Sequence, residues 1–169
     1  MLKITKLDIQ YCKALAKIIS TDALLHQALT PSQEMREVTA AEYYQTCREW
    51  ESKKNGVNFC ILSEGTPIGS ISYVHENETT ASYGMWLASA YWNNGYGTIA
   101  LQLFKETLKS AGYAFLTGSI QKSNPRSKRI CEKSGATFTE DNNRWYPLIG
   151  LCGKLKGGEF SCEILQELT

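Results

Sequence analysis

A change of hydrophobic period in the middle third limits what this chain can fold into more than any other feature. Val57–Leu62, Ile68–His75 and Thr80–Leu87 are rich in β-branched and aromatic side chains, which suit pleated, partly buried strands. Between them, Glu64-Gly65-Thr66-Pro67 and Glu76-Asn77-Glu78 carry turn chemistry, so the spacing predicts an antiparallel meander. Beyond the third strand the period shifts. After Gly95 and Gly97, the residues Ala100, Leu103, Phe104, Leu108 and Ala111 define one helical face, and Gly112 ends it. A meander that runs through a glycine loop into an amphipathic helix implies a sheet with a helix packed on it.

The flanking segments extend this into a mixed α/β domain. Leu2–Leu7 alternates as a first strand, and Asp8 is an N-cap for a helix that places Ile9, Cys12, Leu15, Ala16 and Ile19 on one face. Thr21–Val38, with Pro31, reads as irregular or broken helix. Thr39-Ala-Ala-Glu42 is a capping box that opens a helix through about Ser52, with Ala40, Tyr43, Tyr44, Cys47 and Trp50 inward and Gly56 as its stop. Tyr113–Ile120 reads as a strand. Asn124–Ser134 reads as a short helix with Pro125 in its first turn and Gly135 past its end. Thr137–Thr139 and Phe160–Leu168 complete the sheet, while Trp145–Gly158 has no clear period.

At 169 residues the chain matches one domain, 1–169, with enough length to bury a core. Lys+Arg minus Asp+Glu is 18 − 17 = +1, which does not favour nucleic-acid or membrane-surface binding. The stretch Tyr83–Trp92, interrupted by Gly84 and Ser89, is too short to span a bilayer. With no apolar leader at the start, a cytoplasmic protein is expected. Cys12, Cys47, Cys60, Cys131, Cys152 and Cys162 are scattered without a close-set pair, and His26 and His75 join no such arrangement. The cysteines therefore read as free, buried small hydrophobes, and no metal is expected.

The chemistry lies between strand and helix. Glycines at 95 and 97 let a ligand approach the backbone, and the first N–H groups of the following helix lack internal partners, so phosphate is their natural occupant. Gly95-Tyr-Gly-Thr-Ile-Ala100 also fits the dinucleotide fingerprint. That reading needs an acidic residue about 20 residues on, and positions 113–121 hold none.

Two motifs carry a family resemblance. Trp92-Asn-Asn-Gly95-Tyr-Gly97 resembles the coenzyme A pyrophosphate loop, Q/R-x-x-G-x-G/A, of the GCN5-related N-acetyltransferases (GNAT). Trp at its first position is similar to the branch acting on ribosomal-protein N-termini. Twenty-seven residues after Gly97, Asn124-Pro-Arg-Ser127-Lys-Arg-Ile-Cys131-Glu-Lys133-Ser-Gly135 resembles the second family pattern, N-x-x-S/A-x-x-x-Y-x-K-x-G-F. The pair, at this spacing and after a meander, makes the resemblance specific. It runs through nearly the whole chain in element order.

The resemblance implies a GNAT-like single domain, with a mostly antiparallel twisted sheet of about seven strands flanked by about four helices. It implies acetyl-CoA as cosubstrate, with backbone groups of Met85, Trp86 and Leu87 bonding the pantetheine amides like an added strand. One of these N–H groups would hold the developing oxyanion. Trp92, Asn93, Asn94, Gly95, Tyr96, Gly97 and Thr98 would form the pyrophosphate loop, and Asn124 and Ser127 would meet the pantetheine arm. Asn124, Ser127 and Cys131 are spaced to face one cleft, with Lys128, Arg129 and Lys133 directed elsewhere, onto a solvated helix face or toward the coenzyme 3′-phosphate.

The expected reaction is direct attack of a primary amine on the thioester in a ternary complex. The acceptor would be a protein N-terminus or a small-molecule amine. Cys131 stands where many members have a proton-donating tyrosine, which leaves Ser127 as candidate acid. Ser82 stands where a carboxylate is often found. His75, Glu76 and Glu78 are near the preceding turn, and the base stays unassigned. Tyr43, Tyr44, Trp50, Trp145 and Tyr146 are placed to line an acceptor cleft or to pack in the core. A homodimer is common in the family. The alternative is a coenzyme-binding module of the same fold without turnover.

Overall fold

A computed structural model describes residues 1–151. The order is β1 (Leu2–Lys6), α1 (Ile9–Thr21), α2 (Ala23–Leu29), α3 (Ala40–Lys54), β2 (Gly56–Ser63), β3 (Thr66–His75) and β4 (Thr80–Leu87). After a 3-10 turn at Ser89–Tyr91 come α4 (Tyr96–Ser110), β5 (Phe115–Thr117), β6 (Ile120–Gln121), α5 (Pro125–Lys133), β7 (Thr137–Glu140) and β8 (Arg144–Gly150). The described residues thus hold eight strands and five α-helices, one more of each than the resemblance suggested. The additional helix α2 lies in the segment read as broken helix. The unassigned segment from Trp145 supplies most of β8. The strand expected at Phe160–Leu168 lies outside the described residues.

The strands are ordered β1-β2-β3-β4-β5-β8-β6, with β7 added on β8. Every pairing is antiparallel except β4 with β5. Side-chain alternation sends β2 residues to two cores. Phe59 and Ile61 pack with Phe104 and Leu108 of α4 and Leu116 of β5. Cys60 and Leu62 pack with Cys12 and Leu15 of α1 and Tyr43 of α3. Burial on both faces explains the unbroken apolar run in β2, because a strand between two helical layers has no solvent side.

Local chemistry sets the helix limits. Asp8 accepts a hydrogen bond from the Gln10 N–H at 3.0 Å. The Thr39–Glu42 box is closed in both directions, at 3.2 and 2.7 Å. Two expectations need correction. The α3 helix runs to Lys54 and ends on Asn55 in the left-handed region (φ 53°), not on Gly56. Gly56 is there because a Cβ would meet the Trp50 ring at 2.6 Å. On α4 the buried face is carried by Leu101 rather than Leu103, which is 36% exposed.

Candidate active site

The site begins where the sheet splits. β4 pairs with β5 only from Thr80 to Ser82, opposite Phe115–Thr117. From Tyr83 to Leu87 it keeps only β3 as a partner. The strand expected over Tyr113–Ile120 is broken at Gly118–Ser119 into β5 and β6, so the neighbouring strand turns away at the same level. Tyr83 fills the apex of this split. A Cβ on Gly118 would stand 3.1 Å from its ring, so the glycine makes room for the phenol.

Two cavities open from the split. The first, of about 240 Å³, lies between the end of β4 and the N-termini of α4 and α5. Met85, Trp86 and Leu87 line it along the unpaired strand edge, and Trp92, Asn93, Gly95, Gly97 and Thr98 line it along the loop. Asn124 and Ser127 close it from α5. Asn94 and Tyr96 from the same motif do not line it; the Tyr96 ring packs edge-on against Tyr91 with centroids 5.4 Å apart.

The glycines serve different purposes. Gly95 has φ 82° with open space where a Cβ would be, so backbone conformation requires it. At Gly97 a Cβ would meet Ile130 Cδ1 at 2.6 Å, so that glycine lets α4 and α5 approach. Asn93 is also left-handed, at φ 61°. Gly95 C=O accepts from the Ile99 N–H, so the first-turn amides of Tyr96, Gly97 and Thr98 precede the first intrahelical bond. Successive N–H groups in such a turn form an anion-binding concavity, reinforced by the helix dipole.

Cations gather on the α5 side, contrary to the outward direction expected for Arg129 and Lys133. Both line the first cavity together with Arg126. The Arg126 guanidinium lies over the Trp92 ring, 3.6 Å from its centroid, and the Trp92 indole N–H donates to Leu87 C=O at 2.8 Å. The loop's first residue is aromatic where the family pattern has Gln or Arg, and α5 brings a guanidinium to the same place. Lys128 does point away, toward Glu132 at 3.3 Å and over the Trp145 ring.

The second cavity, of about 490 Å³, lies on the other side of the split. It shares Ala28, Leu29, Met85, Trp86, Asn124, Ser127 and Ile130 with the first. Tyr43, Cys47 and Trp50 from α3, Tyr83 from β4, and Gln121 and Arg144 from β6 and β8 form other parts of its wall. Tyr44, Trp145 and Tyr146 do not line it; the Tyr146 hydroxyl donates to Asp141 at 2.7 Å. Sequence reasoning missed Tyr83 and Arg144, because each belongs to the cavity through strand pairing rather than through a local motif.

Ser127 is central, since it lines both cavities. Asn124 Oδ1 accepts from the Ser127 N–H at 3.2 Å, capping α5, so the carboxamide NH₂ is left to face the cavities. Cys131 does not join them. It is fully buried, and its Sγ lies 2.9 Å from the Tyr83 hydroxyl. The i+7 spacing misled because Cys131 is packed into the main core, where it meets Tyr83, instead of opening on the cavities with Asn124 and Ser127. Burial pushes the Cys131 thiol up, with the Tyr83 hydroxyl opposing. Burial, then the Cys131 contact, pushes the Tyr83 phenol well up. Both stay protonated near neutral pH, so Cys131 is neither exposed nor ionised as a nucleophile must be.

Neither cavity is lined by Asp, Glu or His among the described residues. His75, Glu76 and Glu78 are at the far end of β3, where His75 Nδ1 lies 3.0 Å from the Tyr113 hydroxyl. Those described residues include no cluster that could hold a metal ion, and no helix among them is long and apolar enough to cross a membrane.

A split α/β sheet whose gap joins an amide-lined, cation-rimmed cavity to a second cavity defines a fold for bringing two ligands together. The chain belongs to the acetyltransferase (GNAT) domain family, which matches residues 2–137. Solved structures agree in fold. Mycobacterium smegmatis RimJ in complex with CoA-disulfide has a TM-score of 0.75 at 14% identity, over 88% of this chain and 81% of that one. The aminoglycoside acetyltransferase AAC(6')-Ib in complex with coenzyme A has a TM-score of 0.72 at 14% identity, over 89% and 95%. A GNAT-family acetyltransferase from Bacillus anthracis has a TM-score of 0.70 at 20% identity, over 89% and 95%. No curated protein matches in sequence.

Proposed function

We propose that this protein is a cytoplasmic, single-domain N-acetyltransferase that moves the acetyl group of acetyl-CoA to a primary amine by direct attack. The observation that carries this reading is Ser127 at the junction of the two cavities. A thioester lying in the split has its carbonyl carbon open to an amine in the second cavity. Solved relatives bind coenzyme A or its derivatives, as in the RimJ and AAC(6')-Ib complexes.

In this reading the pantetheine arm pairs with the open edge of β4 at Met85–Leu87, and an N–H of that edge polarises the thioester carbonyl. The pyrophosphate rests on the amides from Asn93 to Thr98. Arg126, Arg129 and Lys133 supply the positive charge around it. The neutral amine attacks to give a tetrahedral intermediate that carries the extra proton on nitrogen. As it collapses, that proton passes to Ser127 Oγ while the Ser127 hydroxyl proton passes to the leaving thiolate, so the serine ends neutral and the products are the amide and the free thiol. A thiol pKa near 8.5 makes this a modest demand. The family's common homodimer is part of the same proposal, checked by sedimentation.

Calorimetry with acetyl-CoA on the wild type and Gly95→Trp tests the coenzyme site, with release of free CoA thiol across an amine panel as the second measurement. Micromolar binding lost in the variant, together with amine-dependent thiol release, is the expected result. Binding without any thiol release would favour the sensing module, which Cys131 at the tyrosine position motivates. No binding by a folded wild type would sink both.

A further inference from the structure

The second cavity carries a charge pattern that bears on the acceptor, and the argument rests on the transferase reading above. Arg144 opens β8, pairs with Gln121 of β6, and is half-buried at the cavity wall. Its Nη1 donates to Ser119 Oγ at 2.8 Å, which fixes the guanidinium. It has no carboxylate partner among the described residues. The remaining guanidinium donors are available to an anion, which they can bind in a fork. The cavity is also lined by the apolar and aromatic side chains of Leu29, Tyr43, Trp50 and Trp86.

We propose that the acceptor is a weakly basic primary amine on an apolar or aromatic body that also bears an anionic group paired with Arg144, and that polycationic amines are excluded. Three observations converge. Among the described residues the Arg144 guanidinium has no carboxylate within ion-pair distance, which favours an anion in its reach. With no carboxylate among the described lining residues, each additional ammonium of a polycation would be left unpaired, which is costly. With no carboxylate or imidazole among the described lining residues to act as base, an amine that arrives already neutral is favoured. At pH 7.5 a peptide α-amine, with a pKa of about 7.7–8.0, is neutral roughly 250 times more often than a lysine ε-amine at about 10.4. An α-amine with an acidic side chain nearby satisfies all three.

The test measures thiol release with three tripeptide amides, Ala-Asp-Phe, Ala-Asn-Phe and Ala-Lys-Phe, beside spermidine and ribostamycin. The Asp peptide should exceed the Asn peptide in kcat/KM by about 10-fold, through KM, with Lys lower still and both polycations at least about 100-fold below. In Arg144→Gln the Asp advantage should vanish, and Arg144→Glu should turn it toward Lys. Acetyl-CoA binding, measured in parallel, reports that both variants are folded, because Arg144 does not line the coenzyme cavity. A polycation as best substrate, or an Asp preference that survives Arg144→Glu, overturns the acceptor assignment and leaves acetyl transfer standing. No turnover of any amine by a protein that binds acetyl-CoA overturns the transferase reading, and the acceptor assignment with it.

Discussion

At the scale of single residues, the Tyr83–Cys131 pair decides which groups are open to the reaction. The phenol comes from β4 and the thiol from α5, and they meet at 2.9 Å in a buried position. That contact occupies the hydroxyl, whereas Ser127 faces both cavities. Ser127→Ala should therefore lower kcat by about 10-fold, less than general-acid loss commonly costs, because a thiolate leaves tolerably unaided. Tyr83→Phe should cost less than about 3-fold, and the reverse ranking would move the proton donor to Tyr83. Cys131→Ala should retain turnover at a stability cost of about 1 kcal/mol. Inactivity of that variant in a folded protein would instead point to a covalent role for the thiol.

At the scale of elements, the part of the cavity wall that α2 supplies depends on one carboxylate. Asp22 ends α1 and caps α2, where its Oδ1 accepts from the Leu25 N–H at 3.0 Å. Its Oδ2 accepts from the Ser89 N–H at 2.6 Å, tying α2 to the turn that follows β4. Ala28 and Leu29 of α2 line both cavities, so the tie holds part of their wall. Burial raises the Asp22 pKa, but the Ser89 amide and the α2 amides outweigh it and hold the carboxyl below its usual value. A depressed pKa stabilises the fold above the unfolded value of about 3.9, and the contribution fades as pH falls through the folded value. Asp22→Ala should cost about 1 kcal/mol and flatten the loss of stability with acid below about pH 4. Denaturation followed from pH 3 to 7 checks this. A variant as acid-sensitive as the wild type would refute the tie.

At the scale of the whole molecule, the split between β4 and β5 leaves strand backbone unpaired, and a ligand that completes the edge should tighten the domain. Acetyl-CoA at about 100 times its dissociation constant should stabilise by about 2.7 kcal/mol. For a domain of this size that is a rise in Tm of roughly 5–10 °C. Thermal unfolding with and without acetyl-CoA measures it. A Tm unmoved by saturating acetyl-CoA would contradict a ligand seated along the strand edge.

Much of this architecture was legible in the chain. Segments rich in β-branched and aromatic residues, set off by turn chemistry, marked the meander, the Thr39–Glu42 box marked the start of α3, and the glycine loop with the Asn124 helix marked two walls of the first cavity. These signals are local, because capping, turn conformation and side-chain alternation depend on residues a few positions apart. The β8 strand escaped because its mixed residues acquire strand character only by pairing with β5, β6 and β7. The burial of Cys131, the inward turn of Arg129 and Lys133, and the placing of Tyr83 and Arg144 were likewise decided by packing. Spacing along α5 says which residues share a face, whereas only the packing of the helix on α4, β6 and β8 says which of them are buried. The sequence by itself determined the fold class and the coenzyme-like loop, through short-range geometry. The tertiary structure alone decided the wall of the second cavity, because Tyr43, Tyr83 and Arg144 come from distant strands and helices that meet only when the split sheet closes around them.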